Sequence, residues 1–102
     1  MELMTLLAVL QIGDDAYGVP IAHAITDATG KDVPIGSVYL TLERLEKKGL
    51  MTSRLGEPTA ERGGRAKRYF RVTAKGLKEA RATQRAFARL SCGFPELKGE
   101  PA

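Results

Sequence analysis

Three short segments with apolar residues at helical spacing, each closed by a glycine, precede two brief β-patterned runs around a glycine-broken loop, and no other feature constrains the fold as much as this order. Leu3, Leu6, Leu7 and Leu10 stand at i, i+3, i+4 and i+7, the stripe of an amphipathic helix over residues 2–12, which Gly13-Asp14-Asp15 stops. Ile21, Ala24, Ile25 and Ala28 repeat the stripe over 19–29. Pro20 suits the first turn of that second helix, where its missing N–H costs nothing, and Gly30 suits a left-handed cap after its last turn. A helix this short is marginal alone and must dock on neighbours.

Pro34 sets the entry to a third helix running to about Lys48, closed by Gly49, with Lys47 and Lys48 near its negative dipole end. Leu50–Leu55 reads as a strand, and Gly56–Ala66 is too broken by glycine and proline for regular structure. Lys67–Val72 alternates through Tyr69, Phe70 and Val72 as a return strand, which points one of the two rings inward and the other outward. Thr73 is a natural N-cap for a last helix from Ala74 to about Leu90. The predicted order is helix, helix, helix, strand, wing, strand, helix: mainly α with a small β-hairpin, a winged helix-turn-helix plus a C-terminal dimerisation helix. On this reading residues 1–73 form the DNA-binding domain and 74–91 a dimerisation helix. Residues 92–102, with Gly93, Pro95, Gly99 and Pro101, form a flexible tail.

At 102 residues the chain has room for one domain and one modest core. Its single cysteine, Cys92, excludes an internal disulfide and a multi-cysteine zinc cage, and no metal site or cofactor is expected. No apolar run is long enough to span a membrane, and the first residues lack a secretory pattern, so a cytoplasmic protein is expected. No phosphate loop, zinc-protease motif or nucleophile elbow is present, which argues against an enzyme. His23, the one histidine, sits off the apolar stripe of the second helix, as a surface residue or a phosphate contact.

Charge is segregated along the chain. Residues 1–30 hold Glu2, Asp14, Asp15 and Asp27 and no Lys or Arg, whereas from Arg62 to Arg89 ten basic residues face Glu79 alone. Such a distribution points to a polyanionic partner, with nucleic acid first and an anionic membrane surface second, and with the winged helix-turn-helix order the expected partner is double-stranded DNA.

On the third helix Ile35, Val38, Leu42 and Leu45 share an arc of about 80° and form the expected core side. The opposite face carries Gly36, Leu40, Glu43 and Lys47, flanked by Ser37, Thr41 and Arg44 on one side and Tyr39 on the other. A small, neutral first half and a charged second half suit a helix whose start approaches base edges and whose later residues reach phosphates. Ser37, Tyr39, Leu40, Thr41, Arg44 and Lys47 are therefore the expected recognition-helix contacts, with Leu40 either touching a thymine methyl or simply exposed. Glu43 and Glu46 are expected to pair with neighbouring Arg44, Lys47 and Lys48 within the helix. Around the loop, Arg62, Gly63, Gly64, Arg65, Lys67 and Arg68 form a basic, glycine-tipped wing suited to the minor groove or its phosphates.

These motifs resemble one family. Asp15-Ala16-Tyr17-Gly18, Gly36-Ser37-Val38-Tyr39 with Thr41-Leu42, and Leu45-Glu46-Lys47-Lys48-Gly49-Leu50 are similar to the PadR-type transcriptional regulators. The run Glu61-Arg62-Gly63-Gly64-Arg65-Ala66-Lys67-Arg68-Tyr69-Phe70 and Val72-Thr73-Ala74-Lys75-Gly76 continue the likeness, which covers roughly residues 2–90 in one register. The resemblance implies a dimeric repressor whose third helix enters the major groove and whose first helix packs on C-terminal helical elements of the partner. Carried over residue by residue, Ser37, Tyr39 and Thr41 match the recognition helix, and Arg65, Lys67 and Arg68 match the wing. Some members release DNA on binding phenolic or other aromatic compounds, which brings in a small-molecule effector as a further partner.

Dimerisation has a signal of its own. Leu77, Ala80, Gln84 and Phe87 follow 3-4-3 spacing with Leu90 nearby, a narrow seam that a second copy could cover. Arg81, Arg85 and Arg89 flank it and repel one another, so the first helix is expected to complete the interface. The expected interface residues are Leu3, Leu6, Leu7, Phe87 and Leu90. A rival reading keeps the fold and makes the chain a protein-interaction module whose basic wing binds an acidic protein.

Overall fold

A computed structural model describes residues 1–56 and 67–94. Helix α1 spans Glu2–Ile12 and gives way at Gly13 (φ 85°) to a single 3-10 turn, Gly13–Asp15. Helix α2, Gly18–Thr29, ends on Gly30 at φ 72°, whose N–H donates to the Thr26 carbonyl. Helix α3 spans Ile35–Lys47, and strands β1 (Met51–Leu55) and β2 (Arg68–Val72) precede α4 (Ala74–Ser91). The expected element order holds, and most boundaries fall within a residue of the sequence reading. Capping and turn chemistry carried that signal, and Thr73 is an example. Its hydroxyl accepts from Gly76 N–H at 2.9 Å as the N-cap of α4 and donates to the Gly49 carbonyl at 2.8 Å, tying the end of α3 to the start of α4.

The two strands pair antiparallel with Met51 opposite Val72 and Ser53 opposite Phe70. The ladder runs one step further, from Gly56 N–H to the Lys67 carbonyl at 2.7 Å. Phe70 N–H donates to the Ala16 carbonyl at 2.8 Å, so the segment entering α2 is sewn to the hairpin. Ile21, Val38, Leu42, Leu45, Met51 and Phe70 build the centre of the core, with Ala80 of α4 closing one side. Gly76 is the tightest approach between α4 and the hairpin: a Cβ there would run into the Leu50 carbonyl.

Four expectations about faces need correction. In α1 the buried side is Thr5, Leu6, Ala8 and Val9, with Leu3 and Ile12 packed at its margin, while Met4 and Leu10 are exposed and Leu7 is half-buried. Leu6, expected at the dimer interface, is 3% exposed and belongs to the subunit's own core. The helix carries two overlapping stripes, and packing against α2 and α3 selects the one through Thr5. That threonine is buried at no polar cost because its hydroxyl donates to the Met1 carbonyl at 2.9 Å. In α2, Ala22 rather than Ala28 completes the buried side with Ile21 and Ile25.

In α3, Ile35 is exposed because the first turn overhangs the core, and Thr41 takes a place inside with 4% exposure. The Thr41 hydroxyl donates to the Ser37 carbonyl one turn back at 2.9 Å, which satisfies it away from water. It therefore does not lie on the outer face where helical spacing put it.

The C-terminal helix is covered over its first half only. Gly76 and Ala80 are buried and Leu77 is half-buried, whereas every residue from Gln84 to Ser91 is exposed, Phe87 at 58% and Leu90 at 72%.

Candidate nucleic-acid interface

The outer side of α3 is built as its sequence suggests. Gly36 stands in open space, Ser37 is half-buried, and Tyr39, Leu40, Glu43, Arg44 and Lys47 reach solvent. Leu40 is 61% exposed. Tyr39 turns toward the start of α2, and its ring lies on Gly18 so closely that any Cβ at that position would collide with it.

Gly18 follows Tyr17, and Tyr17 reaches the hairpin. The Tyr17 and Tyr69 rings meet edge to face, with centroids 5.7 Å apart and planes at 75°. The Lys67 ammonium stands 4.5 Å from the Tyr17 ring centre and donates to the Tyr17 hydroxyl at 3.4 Å. The Arg54 guanidinium lies 4.8 Å from the Tyr69 ring centre. Tyr39 against Gly18 and the neighbouring Tyr17 against Tyr69 thus link α3, the start of α2 and the base of the hairpin.

A second tie joins the other end of α3 to the hairpin. Ser53 donates to Glu46 Oε2 at 2.8 Å and accepts from Arg68 Nη1 at 2.9 Å, so Glu46, Ser53 and Arg68 form a polar relay. Glu46 was expected to pair within its own helix; instead it anchors the strand. Lys48 likewise pairs across to Glu2 of α1, Nζ to Oε2 at 2.9 Å, and no ion pair within α3 occurs among the described residues. The only other ion pair among those residues joins Arg71 to Asp14, 3.3 Å apart and largely solvated.

Of the expected wing residues, Lys67 and Arg68 are at the hairpin base, while Arg62, Gly63, Gly64 and Arg65 lie outside the described residues. Phe70 is buried and Tyr69 faces the other way, as strand alternation requires. His23 is exposed on α2. Reading the sequence missed the roles of Tyr17 and Arg54. Their one signal is an aromatic before a glycine at a helix start and a hairpin whose strands carry aromatic and basic residues, and it becomes legible only once the strand register is known. No helix among the described residues is long and apolar enough to cross a membrane, and no cluster of metal-ligating side chains occurs among them.

The family profile described as "Transcriptional regulator PadR-like family" matches residues 6–82, three-quarters of the chain. The chain belongs to the PadR-like family. A transcriptional regulator from Clostridium thermocellum superposes with a TM-score of 0.74 at 25% identity, over 87% of this chain and 81% of the other. A PadR-like transcriptional regulator from Bacillus cereus gives 0.71 at 24% identity, over 88% and 82%. F93 from STIV, a winged-helix DNA-binding protein, shares the fold at 0.68 and 16% identity, over 89% and 90%. Among curated proteins none matches in sequence. This PadR-like chain is thus a transcriptional regulator with the winged-helix fold.

Proposed function

We propose that the chain is a sequence-specific DNA-binding repressor that acts as a homodimer on a near-palindromic operator. The observation that carries this reading is the run of contacts from Tyr39 on Gly18, through the neighbouring Tyr17, to Tyr69 and Lys67, which ties α3 to the base of the hairpin. In this reading Ser37, Tyr39 and Leu40 meet base edges and sugars in the major groove, and Arg44 and Lys47 meet phosphates further along α3. Arg62, Gly63, Gly64, Arg65, Lys67 and Arg68 form the wing contact on the adjacent backbone or minor groove. Residues 1–73 form the DNA-binding unit, 74–91 the dimerisation helix and 92–102 a tail.

Bare apolar surface supports the dimer. Phe87 and Leu90 project from the uncovered half of α4, and Met4, Leu7 and Leu10 from α1. The interface in this reading is Leu3, Leu7, Phe87 and Leu90, without Leu6. Half-sites then lie about one DNA turn apart, roughly 10 base pairs. Release by a small aromatic effector, which the family resemblance implies, is consistent with an apolar cleft between α1 and α2 lined by Met4, Leu7, Ala24, Ile25 and Ala28.

Selecting bound duplexes from a random DNA pool tests the reading. The expected result is an enriched, two-fold symmetric site whose affinity falls steeply with salt as counterions are released. No binding to any duplex at low salt would overturn it and favour an acidic protein partner for the wing.

A further inference from the structure

We propose that Tyr17 is a positioning residue for DNA binding, acting through Lys67 to hold one wing cation ready for a phosphate; this rests on the DNA-binding reading above. Lysine is a compact point charge on a long flexible stem, and ordering that stem on binding costs conformational entropy. Here the stem is ordered in advance. Its ammonium rests over the Tyr17 ring at 4.5 Å and donates one hydrogen bond to the hydroxyl at 3.4 Å. An ammonium has three donors, so two remain for a phosphate oxygen.

Tyr17 is itself held in place. Its backbone caps α2, and its ring packs edge to face with Tyr69, which also carries Arg54. Gly56 lets Tyr69 sit close: a Cβ there would strike the Tyr69 ring. The brace therefore fixes Lys67 relative to α2 and, through Gly18 and Tyr39, relative to the recognition helix. Arg54 cannot substitute for Lys67 in this role, since it packs on Tyr69 rather than Tyr17, with its guanidinium directed to the Asp14 carbonyl at 3.5 Å.

A double-mutant cycle on the full chain tests this, with operator duplex from the random-pool selection as probe. Tyr17→Leu is expected to weaken binding about three- to tenfold, the scale of one side chain left to be ordered on binding. In a Lys67→Gln background the same substitution is expected to cost nothing further. Tyr17→Phe, which keeps the ring beneath the ammonium, is expected to stay within about twofold of wild type. Equal losses in both backgrounds, or no loss in either, would overturn the proposal, the first because Tyr17 would then touch DNA or serve only packing. If Tyr17→Leu lowers the melting temperature too far for measurement, Tyr17→Met runs the same cycle with the same outcomes. Failure of the wild-type chain to bind duplex would instead overturn the DNA-binding reading, a separate result.

Discussion

The Tyr39 ring rests directly on Gly18, so α3 and the first turn of α2 touch through a residue that has no side chain to interpose. Gly18→Ala should therefore push the ring aside. Because Tyr39 is exposed and its ring end is free to swing, the fold should lose less than about 1 kcal/mol, well short of the cost of overpacking a closed core. DNA affinity should fall at least tenfold. Chemical denaturation and duplex titration on the same sample separate the two effects.

Gly76 meets backbone rather than a mobile ring. A methyl at this position runs into the Leu50 carbonyl, and neither α4 nor β1 can yield without breaking the Thr73 cap. Gly76→Ala should cost about 1–3 kcal/mol of folding stability or more, visible as a lower denaturation midpoint. The contrast between the two glycines separates a positional role from a structural one.

Much of the fold was legible in the sequence because its boundaries are written in local chemistry: Gly13, Gly30 and Gly49 each adopt positive φ where a helix ends, and Thr73 caps where one begins. Which face of a helix turns inward was less legible. Helix α1 is apolar on nearly every side, so the leucine stripe and the Thr5 stripe fit equally well until neighbours choose. Thr41 looked like a surface residue because sequence spacing does not show that the Ser37 carbonyl will accept its hydroxyl's hydrogen bond. The outward face of α3 was predictable from Gly36, Tyr39 and Leu40, whereas the Tyr17–Lys67 contact joins residues fifty positions apart and depends on strand register.

Leu40 contributes little to the fold, since most of it faces solvent. Leu40→Ala should leave the denaturation midpoint unchanged and reduce affinity by about 1 kcal/mol only for sites with thymine beneath the helix, the value of partial burial of an apolar side chain. Parallel selections with both proteins would show the lost preference.

Phe87 and Leu90 are bare in the single subunit, so charge placed there should leave each subunit folded. Phe87→Glu with Leu90→Glu should convert a dimer to a monomer by sedimentation analysis. The far-ultraviolet spectrum should be unchanged, and binding to a symmetric site should weaken far more than binding to a half-site.

If α3 and the hairpin meet one duplex side by side, two exposed leucines report on it directly, Leu40 on the helix and Leu55 on β1. With Cys92→Ser removing the native thiol, Leu40→Cys and Leu55→Cys can each carry a DNA-cleaving iron chelate. Cleavage from both positions within the same half-site, about half a helical turn apart or less, is the predicted result. Cleavage from Leu40→Cys alone, or from neither, would contradict it.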